Sequence, residues 1–182
     1  MLSLKKSLLG LALLAAVASA FVLAGGALAA NGGNSANAKL CQDWQALMDS
    51  SAAPFSNEGG CVSYGANDGA IYAKAGLTVE PCANQPFDGL CVQTSGFGLA
   101  PTTFATTPLL KNGSAVTTEF LVVQADGTAG TGQPFAHFEA PCVAGNVYSA
   151  TATGTSADSL STPTVPGIPI TSNTVTRTST CP

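Results

Sequence analysis

The chain has 182 residues, of which only 9% are charged, with six Lys and Arg against ten Asp and Glu and a single His. That length suits one domain, or one domain with a small appendage. The net charge of −4 at pH 7 argues against a nucleic-acid partner, which needs a basic stripe to neutralise phosphates, and against simple attraction to anionic lipid.

Residues 1–29 read as a secretory signal peptide: Lys5 and Lys6, an uncharged apolar run from Leu8 to Ala24, then Ala27-Leu28-Ala29. The alternative is an uncleaved anchor, because Leu8 to Ala30 is long enough to span a bilayer. Gly25 and Gly26 fall where a signal peptidase needs extended chain and favour cleavage, with no stable membrane insertion afterwards. Without Lys5 and Lys6, four basic residues face ten acidic ones, a net charge of about −6. Six cysteines remain in a chain expected to be secreted or associated with the cell surface: Cys41, Cys61, Cys82, Cys91, Cys142 and Cys181. An even number in an exported chain implies bridges. Six allow fifteen pairings; the local one, Cys41–Cys61, Cys82–Cys91 and Cys142–Cys181, is the expectation.

Residues 30–37, all Ala, Asn, Gly and Ser, read as a flexible leader. Leu40, Trp44, Leu47 and Met48 then fall at i, i+4, i+7 and i+8, which predicts a helix over about 39–50 that Pro54 prevents from continuing. Ser56 or Asn57 is a candidate N-cap for a second, glycine-rich helix with Glu58 in its first turn. Cys61, Val62 and Gly65 would face the first helix, so a Cys41–Cys61 bridge would staple a hairpin over 38–76.

From Leu77 onward the texture is that of strands and turns. Asn112-Gly113 and Asp126-Gly127 are hairpin dipeptides, with one long strand between them from Ala115 to Gln124. Phe135 to Ala140 alternates with period two, as does Val147 to Thr153, and a Thr-rich final strand surrounds Val175. Strands at short regular spacing indicate an antiparallel β-sandwich over 77–182. Phe97, Phe104, Phe120, Phe135 and Phe138 are mostly core candidates by alternation.

Two resemblances follow from these segments. Leu90 to Cys181, with "VQTSGFGLAP", "QADGT" and "CVAGNVYSATATG", resembles bacterial immunoglobulin-like modules; Pro101-Thr102 departs from their usual Pro-Gly. Cys41 and Trp44, followed by Phe55, Asn57, Gly59, Cys61, Val62, Ser63 and Tyr64, resemble a motif of uncharacterised secreted proteins of actinobacteria. The first resemblance implies an immunoglobulin-like antiparallel sandwich preceded by a short stapled helical segment. The second implies no activity.

No catalytic residue is expected. A nucleophilic Cys61 would need a paired His held by Asn or Asp, would have only His137 to use, and would leave five cysteines in an oxidising compartment. His137 and Glu139 share one face of a strand but are two ligands where a metal needs three or four, so His137 reads as a solvent-facing strand histidine. No serine motif, calcium loop or cofactor fingerprint occurs. Trp44, His137 and Glu139 are the candidates for a binding surface, with Trp44 first read as the anchor of the hairpin core. The expectation is a non-enzymatic binding or structural module for a protein or cell-wall partner. A hydrolase or protease inhibitor built from dispersed residues, and a carrier holding a small molecule in a sandwich cleft, are the alternatives.

Overall fold

The computed structural model describes residues 32–124 and 129–182; the signal peptide expected at 1–29 and the turn expected at Asp126-Gly127 lie outside the described residues. Three disulfides join Cys41 to Cys61, Cys82 to Cys91 and Cys142 to Cys181, the local pairing in full. They imply an oxidising compartment. No helix among the described residues is long and apolar enough to cross a membrane.

The N-terminal segment runs through helix α1 (Gly32–Leu40), a 3₁₀ stretch (Cys41–Ala46), strand β1 (Leu47–Met48), helix α2 (Glu58–Ala66) and strand β2 (Tyr72–Ala73). Helix α2 starts where its cap dictates: the Asn57 side chain accepts from the Gly60 N–H at 2.7 Å, and Glu58 stands in the first turn. The first helix differs from expectation. It begins at Gly32, inside the stretch that composition reads as a flexible leader, and the chain is already extended at Leu47. Tertiary contacts explain both ends. Asn37 is buried and donates to the Gly65 carbonyl at 2.8 Å, which fastens α1 to α2. Gly65 permits that approach, since a Cβ there would stand 2.8 Å from Asn37 Nδ2. At the other end β1 pairs with β2, and Leu47 and Met48 serve two different cores. Leu47 packs with Cys41, Cys61 and Ile71; Met48 joins the main core. The apolar spacing that resembles one helical face is that of a chain passing between two cores.

The rest is antiparallel β structure in two sheets: β3 (Gly76–Pro81), β4 (Gly89–Phe97), β5 (Phe104–Lys111), β6 (Ser114–Val122), β7 (Ala129–Thr131), β8 (Phe135–Phe138), β9 (Val147–Thr155) and β10 (Pro169–Thr178). One sheet has the order β10-β9-β5-β6; in the other β4 pairs with β3 on one side and with β7 and β8 on the other. Their inner faces meet in one core of Leu77, Val79, Leu90, Val92, Leu109, Leu121 and Tyr148, among others. The Asn112-Gly113 hairpin forms as its sequence demands, with φ of 47° and 83°, the left-handed pair of a tight two-residue turn.

Four of the five phenylalanines assigned to the core by alternation are on the outside: Phe97, Phe104, Phe120 and Phe138 are exposed, and only Phe135 packs against the core. The reason is register. Strand β5 carries apolar residues on both faces, and the pairing turns Ala105, Thr107 and Leu109 inward, leaving Phe104 outside. Thr94 and Thr107 satisfy each other in the interior at 2.9 Å, so the inward faces of β4 and β5 carry a hydrogen-bonded pair of hydroxyls among their apolar side chains.

The helical segment sits over one end of the two sheets. Leu160 N–H donates to the Ile71 carbonyl at 2.7 Å, and the Tyr72 hydroxyl donates to the Pro166 carbonyl at 3.2 Å. Both partners belong to the long β9–β10 connection. The opposite end carries the Cys82–Cys91 loop, the Asn112-Gly113 turn and the β8–β9 connection.

Candidate functional site

At this second end the buried group is Asp88, 2% exposed, at the mouth of β4 inside the Cys82–Cys91 loop. Its carboxylate accepts from the Val143 N–H at 2.8 Å, from the Tyr148 hydroxyl at 2.8 Å and from Asn146 Nδ2 at 3.2 Å, and its carbonyl accepts from the Glu139 N–H at 2.9 Å. Burial raises the Asp88 pKa, but these donors outweigh it and hold the carboxyl below its ordinary value. Tyr148, fully buried, is pushed up to about 12 by burial and by the adjacent carboxylate. Asn146 also accepts from Asn112 Nδ2 at 3.1 Å, and Asn112 Oδ1 accepts from the Val147 N–H at 2.9 Å, which locks the hairpin turn to the same network.

The loop around Asp88 is fastened from every side. Gln85 donates to the Cys82 and Cys91 carbonyls and accepts from the Cys91 N–H. Arg177, on β10, donates to the Pro86 and Gly89 carbonyls. The Thr180 N–H donates to the Phe87 carbonyl at 3.1 Å, next to the Cys142–Cys181 bridge. The residue this loop presents is Phe87, 64% exposed. Phe138 and Val143, also exposed, belong to the strand and loop that bond to Asp88 and Gly89. Ordinary packing economy is inverted here: the carboxylate is inside and three apolar side chains are outside.

His137 and Glu139 stand beside this network. His137 faces Leu90 across the β4–β8 pairing, so it shares the inward face with Phe135, at the rim, with 27% of its side chain exposed. It is therefore not the solvent-facing strand histidine expected from sequence. Its ring lies 6.3 Å from that of Tyr148 and its Nε2 3.5 Å from Glu139 Oε1. Glu139 pairs with Lys111, and that hydrogen bond, helped by His137, holds its carboxyl below the usual range against the opposing effect of burial. Glu139 is paired with Lys111, and Asp88 is held by three neutral donors. A carboxylate with three donors and a depressed pKa is a weak proton acceptor at neutral pH, and a phenol near 12 is a weak acid. The arrangement is suited to holding loops still.

Trp44, the remaining candidate, is half-buried against Cys41, Cys61, Leu47 and Ile71 and borders a shallow open depression formed by Gln42 to Ala46. It lies in the helical segment, away from the Asp88 network. No group of three or more His, Cys, Asp or Glu able to hold a metal occurs among the described residues. Sequence reasoning missed Phe87, Asp88, Asn146 and Tyr148: Asp88-Gly89 reads as an ordinary turn dipeptide, and its partner Tyr148 is 60 residues away. No family model, curated protein or solved structure matches this chain.

Proposed function

We propose that this is an exported, non-enzymatic binding module with an immunoglobulin-like sandwich, which engages a protein partner outside the cell through the Phe87 loop. The strand order supports the fold: β10-β9-β5-β6 against β3-β4 with β7 and β8 matches the division of an immunoglobulin domain into G-F-C-C′ and A-B-E strands. Export rests on the basic start, apolar run and Ala-x-Ala of residues 1–29 and is supported by three disulfides. The resemblance of Cys41–Tyr64 to secreted actinobacterial proteins is in keeping with it.

The observation that carries the reading is an exposed aromatic ring on an immobilised loop. A disulfide, Gln85, Arg177, Thr180 and the Asp88 network all restrain residues 82–91. Binding through Phe87 would therefore cost little ordering entropy, which is the advantage of a preorganised anchor. Phe138 and Val143 widen the apolar surface, and such a surface fits an apolar hollow on a protein better than hydroxyl-rich wall glycan. The Phe87 carbonyl already accepts from Thr180, which disfavours the substrate-like main-chain presentation of a protease inhibitor. A core filled by Leu90, Val92, Leu109 and Tyr148 disfavours a carrier cleft.

The test is binding of the labelled protein to intact cells of the source organism, before and after proteolytic stripping of surface proteins. Phe87→Ser, exposed and outside both cores, serves as the variant. Saturable binding that is lost on stripping and weakened at least about tenfold in Phe87→Ser is expected. Binding that is equal for the two proteins, or that survives stripping, overturns the protein-partner reading.

A further inference from the structure

The two sheets have two open seams, and the chain treats them differently. At one seam the edge strands β10 and β3 are joined by Asn173, whose Oδ1 accepts from the Val79 N–H at 3.0 Å and whose Nδ2 donates to the Val79 carbonyl at 2.8 Å. At the other seam β6 is the last strand of its sheet. Among the described residues no strand pairs with its outer edge, and β8 comes near it without a hydrogen-bonded ladder. Over its nine residues, about 30 Å, alternate N–H and C=O groups point away from β5 and meet no partner strand among the described residues. Exposed edges of this length are normally protected by lysine, proline or a covering loop. The β6 sequence, "SAVTTEFLV", has neither lysine nor proline.

Apolar side chains crowd the same edge. Phe120 is 62% and Val122 60% exposed, and Phe104, also exposed, packs edge-to-face on Phe120 at 6.4 Å between centroids. Val122 is the cross-strand partner of Phe104, so the three side chains lie together on the outer face of the sheet. The single charge on β6, Glu119, belongs to the other face: its cross-strand partner is the buried Thr107, and its Oε2 is buried with no hydrogen-bond partner among the described residues.

We propose that β6 is an interface at which a second copy of this chain adds to the sheet, antiparallel and in a register centred on Phe120. In that register Phe120 meets its own copy, which extends the aromatic row from Phe104 through both Phe120 rings to the second Phe104. Val122 meets Thr118, and Glu119 meets Leu121, so the one charged residue is never set against its like. Self-pairing in this register joins Thr118–Val122 to its own copy, gives the outward main-chain groups of that stretch partners, covers the exposed rings and avoids charge repulsion. A foreign strand would have to supply a complementary sequence that β6 already contains. The proposal concerns a different surface from the Phe87 loop and does not depend on that reading.

The test is the molar mass of the purified protein by sedimentation across a wide concentration range, with amide hydrogen exchange at low and high concentration. A rise from monomer to dimer, with new protection confined to β6, is expected. Phe120→Lys places a charge against its own copy, and because Phe120 is exposed the fold should tolerate it. It should raise the dissociation constant more than about thirtyfold, the loss typical of a central aromatic anchor, without lowering the melting temperature measured at concentrations where the parent is monomeric. A chain that stays monomeric with β6 amides exchanging freely, or a dimer that Phe120→Lys leaves intact, overturns the proposal. Protection of β6 only when a different protein is added would assign the edge to a foreign strand and overturn it equally.

Discussion

Asp88 accepts hydrogen bonds from three donors, and an amide in its place would turn an N–H toward at least one of them. Asp88→Asn keeps the shape and loses the complementarity. The carboxyl is held below its ordinary value of 3.8 in the fold. Its stabilisation is therefore present in full above that value and is lost as the pH falls through the lower, folded one. Asp88→Asn should have a lower melting temperature than the parent at pH 7, and the gap should close as the pH is taken into the acid limb. Thermal melts of the two proteins across pH 2 to 8 check this. A gap that stays constant with pH would mean that Asp88 acts through packing alone. The same residue illustrates what a local reading misses: "PFDGL" looks like a turn, and its carboxylate is the centre of a network drawn from four segments.

At the scale of the element, the β10 edge is closed by one side chain. The β9–β10 pairing is irregular between Thr171 and Thr174, and Asn173 lies within that step. The irregularity carries its side chain across to β3, where it replaces a missing strand for both main-chain groups of Val79, a buried residue. Asn173→Ala leaves that N–H and C=O without their partner and should cost about 1–3 kcal/mol in urea unfolding. Faster amide exchange at Val79 is expected to accompany it. Unchanged stability would show that water replaces Asn173 without loss. Helix α2 behaves as its sequence specifies, because its cap and first turn are local chemistry. Helix α1 does not, because its position depends on Asn37 reaching Gly65, 28 residues away.

Across the whole molecule, the bridges divide the work. The loops they close span 20, 9 and 39 residues. The chain-entropy relation assigns roughly 3 kcal/mol to Cys41–Cys61, roughly 2.5 to Cys82–Cys91 and roughly 4 to Cys142–Cys181. Paired Cys→Ala variants should lose most stability at Cys142–Cys181, less at Cys41–Cys61 and least at Cys82–Cys91. If Phe87 is the binding anchor proposed above, loss of Cys82–Cys91 should weaken that binding by more than its effect on stability suggests, since the bridge immobilises the presenting loop. Denaturant titration beside cell-binding measurements separates the two effects. The helical segment lies against one loop end of the sheets, and so the opposite end is where rigid loops and exposed apolar groups coincide.

Sequence alone determined what depends on short-range chemistry. A helix cap at Ser56 or Asn57, the Asn112-Gly113 turn and the alternating strands are specified by residues close together in the chain, whereas the cysteine pairing was one expectation among fifteen until the structure chose it. Tertiary structure alone decided which face of each strand points inward. In β5 and β8 both faces carry apolar residues, so period-two alternation has no preferred side. Cross-strand register and the buried Thr94–Thr107 pair make the choice, turning Phe104, Phe120 and Phe138 outward and His137 inward. The Asp88–Tyr148 contact was beyond sequence for the same reason: it is a hydrogen bond between groups 60 residues apart, and a side chain's partner at that distance is set by how the sheets pack.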